Sequence, residues 1–568
     1  MGIDVTVKIG GEAGQGIQTV GELLAQACHQ SGLYLMAVND FESRIRGGHS
    51  FMQLRISDRP VMAPDHRVHL LIALNEQTLQ THRSEIAEGG RVIFDSEADG
   101  SDETVLPVPV TKLAREAGGR IMANTVAAGA CLSMLGAPVK ALEQVLRQRF
   151  GDKKAEVLKN NLKAAKSGVA AVAGVPFEWA FQWPDKASAG KLLSGARVLA
   201  LGALAAECRF AAFYPMSPAT DVMVNLSGFE AQLPLVVEQA EGEIAAVNMV
   251  IGASFAGVRA MTATSGGGFA LMSEGLGLSG ITETPIVIIN SQRPGPATGL
   301  PTRTAQADLR FMLHAAQDDF PRFILAPGTL ESAFETMVRA FTLADKYQVP
   351  VIVTTDQYFN DSLTIADKAL EVPEHVDRHI VGDSDMEDPA AYKRFAFTDS
   401  GVSPRALPCN GRALVMVSGN EHQEDGHISE RISDRIGQMD KRQRKLEGMA
   451  KEMRAPETVY PESRVLLVGW GSTSGMIRES VEMLRAGGVD AGAVCFTDIW
   501  PFPEAEVTEI LDQCRRFYMV EQNATAQLGW LIRERTGRKF AQAVLKYDGR
   551  PFFPQEIADK IQAYEEGA

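Results

Sequence analysis

Between residues 191 and 375 the chain repeats one unit: a short apolar run, a segment with helical spacing, then another apolar run. The runs are LPLVVEQ, RAMTATS, PIVIINS, RFILAP and PVIVTTD. Strands that are apolar along their whole length are buried on both faces, and parallel neighbours need a crossover that a helix normally supplies. The alternation therefore predicts βαβ units and a parallel sheet covered on both sides. It also locates a site, because ligands of such sheets bind outside the carboxyl ends of the strands.

Two further blocks carry the same kind of pattern. The first opens with a β-branched strand from Ile3 to Ile9, then the glycine-rich stretch GGEAGQG from Gly10 to Gly16, then an amphipathic helix from Ile17 to about Gln30. That order is a strand, a phosphate-loop-like turn and a helix. The block closes in a lysine-bearing helical run, Lys153 to Lys166, and a polar linker PDKASAG at 184–190. The last block repeats strands in RVLLVG, AGAVCF and FYMVEQ. Residues 380–458 hold no strong strand and read as an extended connection or a partner-clasping arm; its basic run KRQRK at 441–445 has the ordinary reading of a solvated face. The expectation is an α/β protein with domains at 1–185, 191–378 and 460–568 and a connecting arm at 379–459.

With 568 residues, 45% of them hydrophobic, the chain can bury several cores. A net charge of -15 argues against a nucleic-acid or anionic-membrane partner, which would need a basic face. No basic segment leads into an apolar stretch at the N-terminus, and no run reaches about 18 apolar residues. A cytoplasmic protein is expected. Cys28, Cys131, Cys208, Cys409, Cys495 and Cys514 stand singly, so neither a disulfide framework nor a cluster site is indicated.

Four motifs concentrate in the central block. YPMSPAT, Tyr214 to Thr220, runs from a strand end into a Pro-containing turn. EGEIAAVNMVIGASFAG, Glu241 to Gly257, puts acidic residues at a helix start, where the helix dipole alone would favour them. TATSGGG, Thr262 to Gly268, sets a glycine run between strand and helix, as a close backbone approach or an ordinary tight turn would require. The stretch from Ile289 to Leu309 is a strand followed by a Pro/Gly loop with Arg293 and Arg303, residues able to clamp a carboxylate.

In this order the four motifs resemble the pyrimidine-binding domain of 2-oxoacid:ferredoxin oxidoreductases, whose usual first motif reads YPITP. GGEAGQGI with SRIRGGHSFMQLRISD resembles the family's gamma domain, fused ahead of an alpha subunit. DIWPFP and VEQNATAQL resemble its transketolase C-terminal-like domain, so the likeness covers nearly the whole chain. The resemblance implies a gamma-type α/β domain, a thiamine-diphosphate-binding pyrimidine fold and the C-terminal-like domain in series.

It also implies roles. Glu243, nine residues before Gly252, takes the place of the glutamate that hydrogen-bonds the thiamine pyrimidine, with Glu241 in reserve. Tyr214, Pro215 and Ser265 fall among the thiamine diphosphate contacts. Ser217 stands where the family has threonine over the reacting centre, and Met216 where it has isoleucine. Arg293 matches an arginine near the substrate carboxylate. Arg303 stands where 2-oxoglutarate-type relatives carry lysine and is a candidate cation for a second carboxylate. The fused gamma–alpha chain and the GLPTRT loop resemble the 2-oxoglutarate branch most, which implies 2-oxoglutarate as substrate, with pyruvate and branched-chain 2-oxoacids as alternatives. In the gamma block, Arg44, Arg46, Ser50 and Asn124 fall on or beside coenzyme A contacts of relatives; solvated arginines and a helix-capping Asn124 are the plainer readings.

No GDG followed by a suitably spaced Asn is present. The resemblance therefore implies a beta subunit that supplies the diphosphate–Mg²⁺ half of the site and an iron–sulfur cluster (4Fe-4S), with ferredoxin as electron acceptor in an alpha2beta2 heterotetramer. GGEAGQG is not the dinucleotide fingerprint, which argues against an NAD site. Glu421, His422, Glu424, Asp425 and His427 crowd one stretch, but without periodicity to aim them together a solvated loop is the expectation. A thiamine-dependent decarboxylase that makes no use of ferredoxin, and a non-catalytic scaffold of the same fold, are the rival functions.

Overall fold

The apolar runs become strands where their pattern places them. The computed structural model describes residues 2–43, 47–96, 102–184, 186 and 190–567. By contact the chain divides into two units, residues 1–194 with 361–369, and residues 195–360 with 370–568.

The first unit is built on an eight-stranded mixed sheet. Val105–Val108, Ile86–Asp95, Val68–Ala73 and Asp4–Ala13 run parallel; Gly47–Ser57, Tyr34–Asp40, Leu363–Ala366 and Lys191–Ser194 continue it by antiparallel pairing. The helix Ile17–Gln30 has the expected limits and buries Val20, Leu23, Leu24 and Ala27 against the sheet. Two features differ from the sequence reading. Gly10 to Ala13 is strand rather than loop, because its backbone pairs with Phe51, Ser50, His49 and Gly47. Residues 191–194 and 361–369 belong here, because Lys191–Ser194 finds its ladder partner in Leu363–Ala366, far away in sequence.

The second unit holds the predicted parallel sheet. Phe323–Leu325, Pro350–Asp356, Ile286–Gln292, Ala260–Thr264, Phe210–Phe213 and Val236–Gln239 are parallel neighbours in that order. Asp498–Trp500, from the DIWPFP motif, adds an antiparallel edge. A five-stranded sheet centred on Val465–Trp470 is parallel apart from its edge strand Glu457–Val459. One apolar cluster joins Ile288, Ile324 and Ile352 of the first sheet to Leu466, Trp470, Phe496 and Met519 of the second. That shared core makes the two sheets one unit.

The arm clasps its own unit. Residues Ile432–Ala450 form a helix, and its KRQRK run is not a solvated face: Lys441, Arg442 and Lys445 are buried. Glu283, in left-handed conformation (φ 51°) at the end of the helix Ser273–Thr282, presents its buried carboxylate 2.6 Å from both Lys441 Nζ and Lys445 Nζ. Burial alone would raise that carboxyl's pKa; the two ammoniums and Arg394 outweigh it and hold Glu283 well below the usual carboxylate range. Nearby, Asp345 pairs with Arg259 at 2.8 Å, with Arg378 at 3.1 Å and with the arm's Arg405 at 3.1 Å. No helix among the described residues is long and apolar enough to cross a membrane. All six cysteines are free.

Candidate active site

Glu243 is the first residue of the helix Glu243–Phe255 and is 4% exposed, whereas Glu241 is exposed. A buried carboxylate needs a partner, since desolvation without one costs several kcal/mol. Glu243 Oε1 is buried and has no hydrogen-bond partner within the chain. What admits the side chain is Gly268: a Cβ there would lie 2.7 Å from Glu243 Oε1 and press on Thr264 Oγ1. Thr264 Oγ1 in turn reaches Met216 Sδ at 3.8 Å, so the YPMSP turn, the strand Ala260–Thr264 and the glycine run converge on the carboxylate. Ser265 precedes the helix Gly266–Leu271 and is fully buried, and its Oγ also lacks a partner. Gly252, by contrast, has open space around its missing Cβ, so it is not what seats Glu243.

The second set sits at the carboxyl end of the neighbouring strand Ile286–Gln292. Arg293 Nη1 donates to the Ser217 carbonyl at 2.7 Å, which brings together two residues far apart in sequence. Ser217 and Tyr214 are exposed, and Pro215 is half-buried. Beside them lies a carboxyl that sequence reasoning missed. Asp308 N donates to Gln292 Oε1 at 2.8 Å, its Oδ2 accepts from Asn290 Nδ2 at 3.3 Å, and the carboxyl rests on the bare face of Gly266. Burial pushes the Asp308 pKa up to about 6 against the lowering effects of Asn290 and Arg293. The available signal was that Asp308 closes the same Pro/Gly loop that carries Arg293.

The C-terminal motif fixes that loop. Gln306 Nε2 donates to the Trp470 carbonyl at 2.7 Å, while Gln306 Oε1 accepts from Gln522 N at 3.1 Å and its carbonyl from Asn523 Nδ2 at 3.0 Å. Glu521, fully buried, is satisfied by Asn523 Nδ2 at 2.8 Å and by the amides of Leu528 and Gly529 at 3.0 Å each. The VEQN segment is thus a bracket for the loop. Arg303 lies at its outer part, packed on Gly549, with Nη1 donating to the Thr302 carbonyl at 3.3 Å.

In the first unit, Ser50 stands opposite Gly11 in the strand register, and its Oγ is buried without a partner. The Asn124 amide lies against Gly16, whose φ is 83°. Asn124 does not cap its helix, which begins at Ala123 without a side-chain cap. Arg44 and Arg46 lie outside the described residues. Next to Ser50, His49 Nε2 is 2.8 Å from His82 Nε2, His82 Nδ1 is 2.9 Å from Glu85 Oε1, and the buried Lys8 pairs with Glu85. Burial, and then His82, lower the His49 pKa.

Part of the acidic and histidine-rich stretch of the arm is structural rather than solvated, while His427 stays exposed and Asp425 half-exposed, as expected. His422 is fully buried with its ring 3.8 Å from that of Phe395, and Glu421 pairs with Arg435 and Arg442 at 2.8 Å each. No group of metal-ligating side chains occurs among the described residues.

Comparison with known proteins bears on this geometry. The family model "Pyruvate flavodoxin/ferredoxin oxidoreductase, thiamine diP-bdg" matches residues 201–441, the segment that holds Glu243, Arg293 and Asp308. "Pyruvate ferredoxin/flavodoxin oxidoreductase" matches 6–171, and "Pyruvate:ferredoxin oxidoreductase core domain II" matches 463–557. The 2-oxoacid:ferredoxin oxidoreductase alpha subunit of Sulfolobus sp is 32% identical over 97% of this chain and 96% of its own. The chain belongs to the 2-oxoacid:ferredoxin oxidoreductase alpha-subunit family. As such it is a subunit of a thiamine-diphosphate-dependent oxidoreductase of 2-oxoacids. Within the family, the 2-oxoglutarate synthase subunit KorA of Methanothermobacter marburgensis is 32% identical over 65% of this chain and 97% of its own. A solved 2-oxoglutarate:ferredoxin oxidoreductase from Magnetococcus marinus, with 2-oxoglutarate, coenzyme A and succinyl-CoA bound, is similar over 99% of both chains, with TM-score 0.92 and 30% identity.

Proposed function

We propose that this alpha subunit uses Glu243 to activate thiamine diphosphate for oxidative decarboxylation of 2-oxoglutarate, giving succinyl-CoA and CO2 while two electrons pass to oxidised ferredoxin. The observation that carries the reading is the partnerless, buried Oε1 of Glu243, a acceptor placed where an outside donor is required. Thiamine diphosphate, when bound, supplies a carbon nucleophile and an electron sink for loss of CO2. Glu243 would accept a hydrogen bond from the pyrimidine N1′ and so favour the tautomer with a basic exocyclic nitrogen. Ser265 Oγ and the backbone of Tyr214 and Pro215 would line the ring. Arg293, anchored on the Ser217 carbonyl, would hold the carboxylate beside the 2-oxo group, and Ser217 Oγ would orient the oxo oxygen.

The chain provides one half of a site. Its orphan acceptor fits the pyrimidine, and its sequence lacks a GDG-type diphosphate motif. Mg²⁺, the diphosphate contacts and the iron–sulfur cluster therefore fall to a beta subunit, in a cytoplasmic alpha2beta2 assembly that reduces ferredoxin. Ser50 and Asn124, which flank the glycine-rich strand end of the first unit, are proposed for coenzyme A.

The choice of 2-oxoglutarate rests on the named relatives and on Arg303, whose guanidinium would meet a second carboxylate. A kcat/KM comparison of 2-oxoglutarate, pyruvate and 2-oxoisovalerate with the assembled complex, coenzyme A and ferredoxin is the test. Preference for 2-oxoglutarate is expected, falling on the order of tenfold in Arg303→Met. Preference for pyruvate in the wild type would overturn the substrate; unchanged preference in Arg303→Met would remove only that residue's role.

A further inference from the structure

Asp308 is a largely buried carboxyl beside Arg293 that the mechanism above does not use. It is held on three sides: by the bare Cα face of Gly266, by Asn290 Nδ2 at 3.3 Å, and through its own amide by Gln292 Oε1 at 2.8 Å. Asn290 and Gln292 belong to the strand that delivers Arg293, so the carboxyl lies alongside the base of that arginine. Asp308 and Arg293 act on each other's charge, and burial weakens the guanidinium's hold on its proton while Asp308 opposes that. The other titratable side chains on the elements that meet here are Glu243, across Gly268, Arg303 and Arg310 on either side of Asp308 in sequence, and the buried Asp356, opposite Gln292 on the next strand, whose pKa burial also raises to about 6; Asp308→Asn separates the two carboxyls, because it removes only one of them.

We propose that Asp308 is the positioning residue through which Arg293 takes a 2-oxoacid carboxylate, and that binding of that carboxylate draws a proton from solvent onto the Asp308 carboxyl. The inference rests on the reading of Arg293 given above. An ionised Asp308 already neutralises part of the Arg293 charge and repels a second carboxylate brought to the same guanidinium. A neutral Asp308 leaves the charge to the substrate and can itself donate a hydrogen bond. Binding and protonation then favour each other, and by linkage the effect is reciprocal. The free carboxyl, raised by burial to about 6, is largely ionised at pH 7.5. Substrate affinity is therefore highest below pH 6, falls as pH rises through the free-enzyme value, and levels off above the higher value that the bound complex imposes.

The test uses the assembled complex and the KM of its preferred 2-oxoacid from pH 5.5 to 8.5. Wild type should show KM rising on the order of tenfold between pH 6 and 8. Asp308→Asn keeps the shape and the contact to Asn290 but cannot ionise, so its KM should be flat and, at pH 8, below that of wild type. A purely structural role would raise KM at every pH and leave the slope in place. Retention of the wild-type slope in Asp308→Asn overturns the proposal. Should that variant fail to assemble, a flat wild-type KM across the range overturns it equally, and Asp308→Ser serves as the second non-ionising variant. Arg293→Met separates the two levels. If it leaves KM unchanged, the reading of Arg293 fails and this inference with it; if it raises KM while Asp308→Asn keeps the slope, only the inference fails.

Discussion

Two glycine-rich segments, each where a strand passes into a helix, behave differently. In the first unit, Gly11 is covered by Gln15 and Leu74 and Gly16 by the amide of Asn124, so most of the room the glycines create is filled by neutral side chains of the same unit. In the second unit, the room at Gly266 and Gly268 is taken by two carboxylates, Asp308 and Glu243, one of them with a partnerless oxygen. A glycine run announces close approach, and the burial and charge of what approaches decide whether the result is packing or chemistry.

The largest effect should come from Gly268→Ala. Its Cβ would displace Glu243 and Thr264, and a shift of about 1 Å in a reacting group costs on the order of 10²-fold in rate. Activity of the complex should fall by at least that factor while far-ultraviolet circular dichroism is retained; near-normal turnover would break the comparison. Gly16→Ala meets both a positive φ and the Asn124 amide, so it should lower stability by about 1–3 kcal/mol, as read by chemical denaturation, and, because Asn124 is proposed for coenzyme A, raise the KM for coenzyme A without slowing the coenzyme-A-independent exchange at thiamine C2. Gly14→Ala has φ 93° but nothing near its Cβ, so it should cost only about 1–2 kcal/mol. Equal costs at 14 and 16 would show that the Asn124 contact contributes nothing.

The parallel sheet was legible because period and strand length report burial directly, and every strand named in the central block lies in it. Glu243 was singled out through resemblance, and the structure adds its burial and its partnerless oxygen, seated by Gly268 rather than by Gly252, the glycine used to choose it. What sequence hid are pairings across long separations. Lys441 and Lys445 look like solvent-facing cations until Glu283, in a backbone conformation rare for glutamate, is placed between them. His422 reads as a loop histidine until Phe395 covers it. Asp308 gave only the signal that it closes the loop carrying Arg293, and its burial is made by Gly266 and Asn290 from two other segments. The sequence pattern assigns Lys191–Ser194 to the central domain because its partner strand, which ties it to the first unit, comes after residue 360.

The most direct measurement is hydrogen–deuterium exchange at C2 of thiamine diphosphate bound to the assembled complex, compared between wild type and Glu243→Ala. If Glu243 sets the pyrimidine tautomer, the variant should bind the cofactor but exchange C2 on the order of 10²–10⁴ times more slowly. Exchange at the wild-type rate in Glu243→Ala would contradict the assignment.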